Sequence, residues 1–212
     1  LLYMHPLAFD TPIWMARFTL EPGEVEVICR EDLKESPFRY PLDQLLSIYI
    51  LALHRGLLIH SAGLNLNGKG IVLAGQSGAG KSTITRQFTG KSRSNILSDD
   101  RMIAREEAGS FLVHGTPWPG EEAIAINQHI PLKAILFLRH GKENRVQPLT
   151  PRQGLEKLMQ TSSIPWYDRN ILSPLLDTCE SLVNQIPCFD FFFTPNPCAA
   201  SFLENHFPSF TK

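Results

Sequence analysis

The stretch Gly75-Gln76-Ser77-Gly78-Ala79-Gly80-Lys81-Ser82 limits what this chain can fold into more than any other part of it, because it fills every position of the pattern G-x-x-x-x-G-K-[ST]. The apolar run Ile71-Val72-Leu73-Ala74 precedes it, and Ser82 to Thr89 reads as a helix with Gly90 as its stop. The order is strand, phosphate loop, helix. Gly75, Gly78 and Gly80 let the backbone curl with its N–H groups inward, and the positive end of the following helix favours the anion they surround. Gly75, Gln76, Ser77, Gly78, Ala79, Gly80, Lys81, Ser82 and Thr83 are therefore the expected cradle for a nucleotide. Lys81 reaches its β and γ phosphates, and Ser82 offers a hydroxyl to Mg²⁺. The alternative is a glycine-rich turn that matches by chance, and the strand and helix on either side argue against it.

The chain from the loop to its end alternates strands and helices. After the loop, Ile96-Leu97-Ser98 is a short apolar strand that runs into Asp99 and Asp100. Adjacent strand residues point to opposite faces, so both carboxylates reach one site only if the strand ends or bulges there. One could then hold Mg²⁺ and the other accept a hydroxyl proton; a plain turn is the other reading. A hairpin is expected from Arg101 to Gly115, bending at Glu107-Ala108-Gly109-Ser110 and returning the chain to the aspartates. It delivers the Gly/Pro-rich segment from His114 to Glu122 beside them, which makes Glu121 or Glu122 a second-choice metal ligand. Further on, Leu132 to Arg139 and Cys188 to Phe193 read as strands. Pro151 to Gln160, Ile171 to Val183 and Cys198 to Phe207 read as helices.

Upstream, Asn67-Gly68 between two apolar runs predicts a hairpin. With a two-residue loop, paired positions sum to 135, which sets His60 opposite Gly75 at the mouth of the phosphate loop. A histidine there can touch a phosphate, whereas one satisfied inside the sheet does nothing. Leu42 to Leu53 has apolar residues at helical spacing between Pro41 and Gly56. Residues 1–41 are rich in proline with short alternating runs such as Val25-Glu26-Val27-Ile28, expected as strands capping one edge of the sheet.

With 212 residues and no dividing linker, the chain is expected to form one α/β domain, a strand-rich edge over 1–41 and a nucleotide-binding core over 42–212. A net charge of −1 gives no reason to expect nucleic acid or membrane as partner, and Lys91-Ser92-Arg93 reads as solvated loop. Cys29, Cys179, Cys188 and Cys198 form no C-x-x-C pair, and no signal peptide or long apolar run is present, so the cytoplasm is the expected compartment.

Leu58-Ile59-His60, the phosphate loop and Leu97-Ser98-Asp99-Asp100-Arg101 stand in an order and spacing similar to those of the catalytic domain of HPr kinase/phosphorylase. The resemblance covers roughly residues 45–140. It implies a mixed sheet flanked by helices, like the P-loop kinase fold shared with ATP-dependent phosphoenolpyruvate carboxykinase, and phosphorylation of a serine hydroxyl on a small protein. It also implies Asp99 as general base, Asp100 at the metal and His60 near the transferred phosphoryl. Bacterial HPr kinases usually carry an additional N-terminal domain that does not fit here, and their acidic segment after the aspartate pair does not read as Gly115 to Glu121. The chain looks more like the shorter relatives found beside modified-peptide and PqqD-like genes.

The leading expectation is an ATP- and Mg²⁺-dependent kinase acting on a hydroxyl of a peptide, small protein or small molecule, with self-association left open. A nucleotide-binding regulatory module and a small-metabolite or carboxykinase-like enzyme are the alternatives. An ABC-type ATPase is disfavoured, because no LSGGQ-like segment follows the loop.

Overall fold

The computed structural model describes residues 2–4, 10–19, 23–89, 95–195 and 198–210, so Gly90 and Lys91-Ser92-Arg93 lie outside the described residues. In chain order the elements are β1 (Leu2–Met4), β2 (Trp14–Thr19), β3 (Glu24–Cys29), α1 (Leu42–Leu53), β4 (Gly56–Leu66), β5 (Lys69–Ala74), α2 (Lys81–Thr89) and β6 (Ile96–Ser98). Then follow β7 (Arg101–Glu107), β8 (Ser110–Gly115), β9 (His129–His140), β10 (Arg145–Pro148), α3 (Pro151–Thr161), α4 (Arg169–Gln185), β11 (Cys188–Phe193) and α5 (Cys198–Phe210). The fold is mixed α/β. By packing, the chain divides into two compact units, 1–47 and 48–212, with α1 crossing the boundary.

The N-terminal strands form an antiparallel sheet of their own, β1-β2-β3. In β2, Trp14 and Ala16 alternate inward and are buried with Leu42, so apolar residues of this small sheet are covered within its own unit.

In the second unit the strands run β10-β11-β9-β5-β4-β7-β8, with β6 also paired to β4. β5, β9 and β11 are mutually parallel and the remaining pairs antiparallel. An additional β8–β9 pairing closes a circuit β4-β7-β8-β9-β5 that returns to β4. The expected register of the first hairpin holds from Ser61↔Ala74 to Leu66↔Lys69. Asn67 and Gly68 have φ of 56° and 79°, and Ala108 and Gly109 have 48° and 79°. Both loops are thus two-residue turns with two positive φ values, whose twist matches the flanking strands.

Alternation sorts the parallel strands into two faces. Ile71, Leu73, Leu136, Phe191 and Phe193 join Ile84 and Phe88 of α2 and Leu203 of α5 in one buried core. α3 and α4 pack against one another, and each also contacts β4. Thr150 caps α3 in a reciprocal pair with Gln153, ahead of Pro151 in the first turn. No helix among the described residues is long and apolar enough to cross a membrane.

Candidate functional site

The predicted loop follows β5 as a tight bend into α2. Gly80 has φ of 100°, and a Cβ there would stand 2.2 Å from the Phe193 ring, so both conformation and space require glycine. Lys81 begins α2 almost buried, 7% exposed, and its Nζ donates to the carbonyls of Gly75 (2.7 Å) and Gln76 (3.2 Å). Burial lowers its pKa, the carboxylate of Asp100 opposes that shift, and the charge of Arg101 adds to it.

β6 ends at Ser98, and the chain bends through Asp99 and Asp100 before β7 begins. That bend lets both side chains reach one cleft, of about 330 Å³, with His60, Lys81, Ser82 and Thr83. The two carboxylates then part company. Asp99 is 3% exposed, and its oxygens accept backbone N–H bonds from Gly120 (2.8 Å), Glu122 (2.7 Å) and Ile124 (3.3 Å). It is the anchor of the segment that follows β8. Gly120 lies so close that a Cβ would meet Asp99 Oδ2 at 2.9 Å.

Asp100 instead meets His60, whose Nε2 lies 3.1 Å from Asp100 Oδ1. The strand pairing builds this contact: His60 ends the β4–β7 ladder opposite Arg101, and Ser61 N donates to Asp100 O at 2.9 Å. The hydrogen bond from His60 holds the Asp100 carboxyl below its ordinary pKa against the effect of burial, and the charges of Arg101 and Lys81 add to it. The expected base therefore has its oxygens engaged by backbone, whereas the carboxylate beside Lys81 is Asp100.

Glu121 lines the cleft and Glu122 is largely covered, but both turn to Arg86: Nη2 lies 3.1 Å from Glu121 Oε2 and Nε 2.5 Å from Glu122 Oε1. Glu121 shares the cleft with Ser82 and Asp100, as expected of a second-choice ligand, and Glu122 does not line it. Among the described residues no group of three His, Cys, Asp or Glu side chains is placed to hold a metal ion. Ser82, Asp100 and Glu121 are oxygen donors on one cleft, and a few such donors suit Mg²⁺, which keeps waters and phosphate oxygens as its other ligands. Arg86 is the residue that sequence reasoning missed. It lies four residues after Ser82 on α2, so helical spacing already puts it on the cleft side.

Compared with known proteins, the chain matches the family model described as SynChlorMet cassette protein ScmC over residues 41–191. It belongs to that family. The match to ScmC spans β4, the loop, the aspartate bend and the segment after β8, and ends within β11. No curated protein matches the sequence. Among solved structures, the HPr(Ser) kinase/phosphatase from Coxiella burnetii is similar over 72% of this chain and 88% of that one, at 11% identity and a TM-score of 0.41.

Proposed function

We propose that this ScmC family member is an ATP-dependent kinase that transfers the γ-phosphoryl group to a hydroxyl, that of a serine in a peptide or small protein. One observation carries the reading: Lys81, Ser82 and Thr83 of the phosphate loop share a cleft with the hydrogen-bonded pair His60–Asp100. Polyphosphate charge and a proton acceptor are what phosphoryl transfer to a hydroxyl requires, and positioning them supplies most of the rate.

In this reading the loop N–H groups and Lys81 hold the outer phosphates of ATP, and Ser82 with Asp100 holds Mg²⁺. The metal supplies neutralisation of the phosphate charge. Asp100 Oδ1 keeps the His60 ring oriented with Nε2–H on the carboxylate, which leaves Nδ1 as the basic nitrogen. His60 takes the serine proton as the hydroxyl attacks the γ phosphorus in line, and ADP leaves. Asp99 serves by holding the 120–124 segment across the cleft.

The test is incubation with γ-labelled ATP, Mg²⁺ and serine-containing peptides, with free serine alongside. Label should pass to peptide. His60→Ala should lower single-turnover transfer by more than about a hundredfold while Mg·ATP binding persists. Absence of labelled peptide together with absence of ADP would remove the kinase reading, and full transfer by His60→Ala would return the proton to an aspartate.

A further inference from the structure

A second cleft lies on the other side of the phosphate loop, and nothing above uses it. It has a volume of about 750 Å³, and Ser77 and Gly78 line both it and the first cleft. Its floor is the β9–β11 pair on the face turned away from the core. In register, Phe137 lies beside Asp190 and Arg139 beside Phe192, and all four line the cleft. α3 supplies the wall with Lys157, Gln160 and Thr161.

The chemistry of this cleft is not that of a simple groove. Asp190, with a side chain 13% exposed, is held between Lys157 Nζ at 3.1 Å and Arg139 Nε at 3.5 Å. Two cations to one carboxylate leave a positive surplus, which suits an anionic group. A carboxylate at the same point suits sugar hydroxyls, and Phe137 and Phe192 add apolar surface. The position agrees: the cleft opens at the carboxyl ends of the parallel strands β5 and β9, where open α/β sheets bind ligands. His140 Nε2 lies 3.2 Å from Gly78 O, which ties the loop to the end of β9.

We propose that this second cleft binds the nucleoside end of the nucleotide, with Asp190 accepting a ribose hydroxyl and Lys157 facing the innermost phosphate. The inference rests on the reading that the loop binds a nucleoside triphosphate. The first cleft is under half the volume of the second and already holds the metal and proton groups. The two clefts meet at Ser77-Gly78, so one extended molecule can occupy both, its phosphates turned to Lys81 and its sugar and base to β9 and α3.

The experiment is calorimetric titration with Mg·ATP and with Mg·tripolyphosphate, which carries the phosphates without the nucleoside. In the unaltered chain ATP should bind at least about tenfold more tightly, a difference of 1.4 kcal/mol. Gln160→Trp, at an exposed position, fills the second cleft and should erase that preference while tripolyphosphate affinity stays within about twofold. Should that variant fail to fold, Asp190→Ala, which removes the acceptor of the ribose hydroxyl, reads the same ratio and should also reduce it. Equal affinities in the unaltered chain, or an unchanged ratio in a folded variant, overturn the inference and leave the phosphate-loop reading standing. Binding of neither ligand by the unaltered chain overturns both.

Discussion

Replacing Asp99 by Asn separates an anchoring carboxylate from a catalytic one. The two short bonds to Gly120 N and Glu122 N end on different oxygens of Asp99, and Ile124 N adds a longer one. An asparagine offers one carbonyl oxygen and one NH₂, so at least one backbone donor must face another donor. Hydrogen bonds to a charged acceptor contribute about 1.5–3 kcal/mol each, and a buried donor left unsatisfied costs about 1–3 kcal/mol. Pro117, Pro119, Glu121 and Ala123 are exposed, so water can reach the freed amides once the segment lifts. That relief limits the global loss to about 2 kcal/mol, the lower part of the range. Urea unfolding should show it, and hydrogen exchange at the Gly120 and Glu122 amides should accelerate by about thirtyfold, the same free energy expressed as an opening constant. If unfolding free energy stays within about 0.5 kcal/mol, exchange is unchanged and phosphoryl transfer still collapses, Asp99 is a base and the anchoring argument is wrong.

Three further outcomes can be checked. Burial lowers the Lys81 pKa from 10.5, so folding stability should rise with pH in the window below 10.5, because there the folded chain binds fewer protons than the unfolded one. In the same window tripolyphosphate affinity should fall, and Lys81→Arg should abolish that fall; a flat affinity profile up to pH 10.5 would remove Lys81 from the phosphates. Ala108 sits at φ of 48°, where a non-glycine residue costs about 1 kcal/mol, so Ala108→Asn should raise the melting temperature by a few degrees. A lowered one would contradict the turn assignment. Burial pushes the Cys179 and Cys188 thiols up to about 12, so a thiol reagent at pH 8 should label exposed Cys29 and Cys198 quickly and the other two only on unfolding.

Local chemistry made much of the second unit legible in the sequence. Asn67-Gly68 and Ala108-Gly109 each set a turn within four residues; the first hairpin keeps its expected register as far as Ser61↔Ala74, and the second brings the 114–122 segment beside Asp99. The division of work between Asp99 and Asp100 was not legible. Asp99's partners are backbone N–H groups 21 to 25 residues away, which carry no side-chain signature. β10 escaped notice because Arg145-Val146-Gln147-Pro148 is a largely exposed edge strand without apolar alternation, formed only because β11 offers it a ladder. The N-terminal alternation was visible, but what it packs against was not, since a strand pattern names a face and never its partner.

The closed circuit of β4, β7, β8, β9 and β5 divides the cleft into a frame and a fitting. His60 and the root of the glycine-rich loop hang from β4 and β5, and the aspartate bend runs into β7, all strands with neighbours on both sides, so none of these can shift without breaking ladder bonds of the circuit. The opposite wall, from Thr116 to Ala123, lies between two strands of that circuit and is tethered across the cleft by Asp99 and Arg86. Its residues can be exchanged while the ladders stay whole, provided Gly120 and the two tethers are kept. A family built on this plan can change the lining of the cleft by rewriting the other residues of this segment, and leave the strands that carry His60, Asp100 and Lys81 untouched.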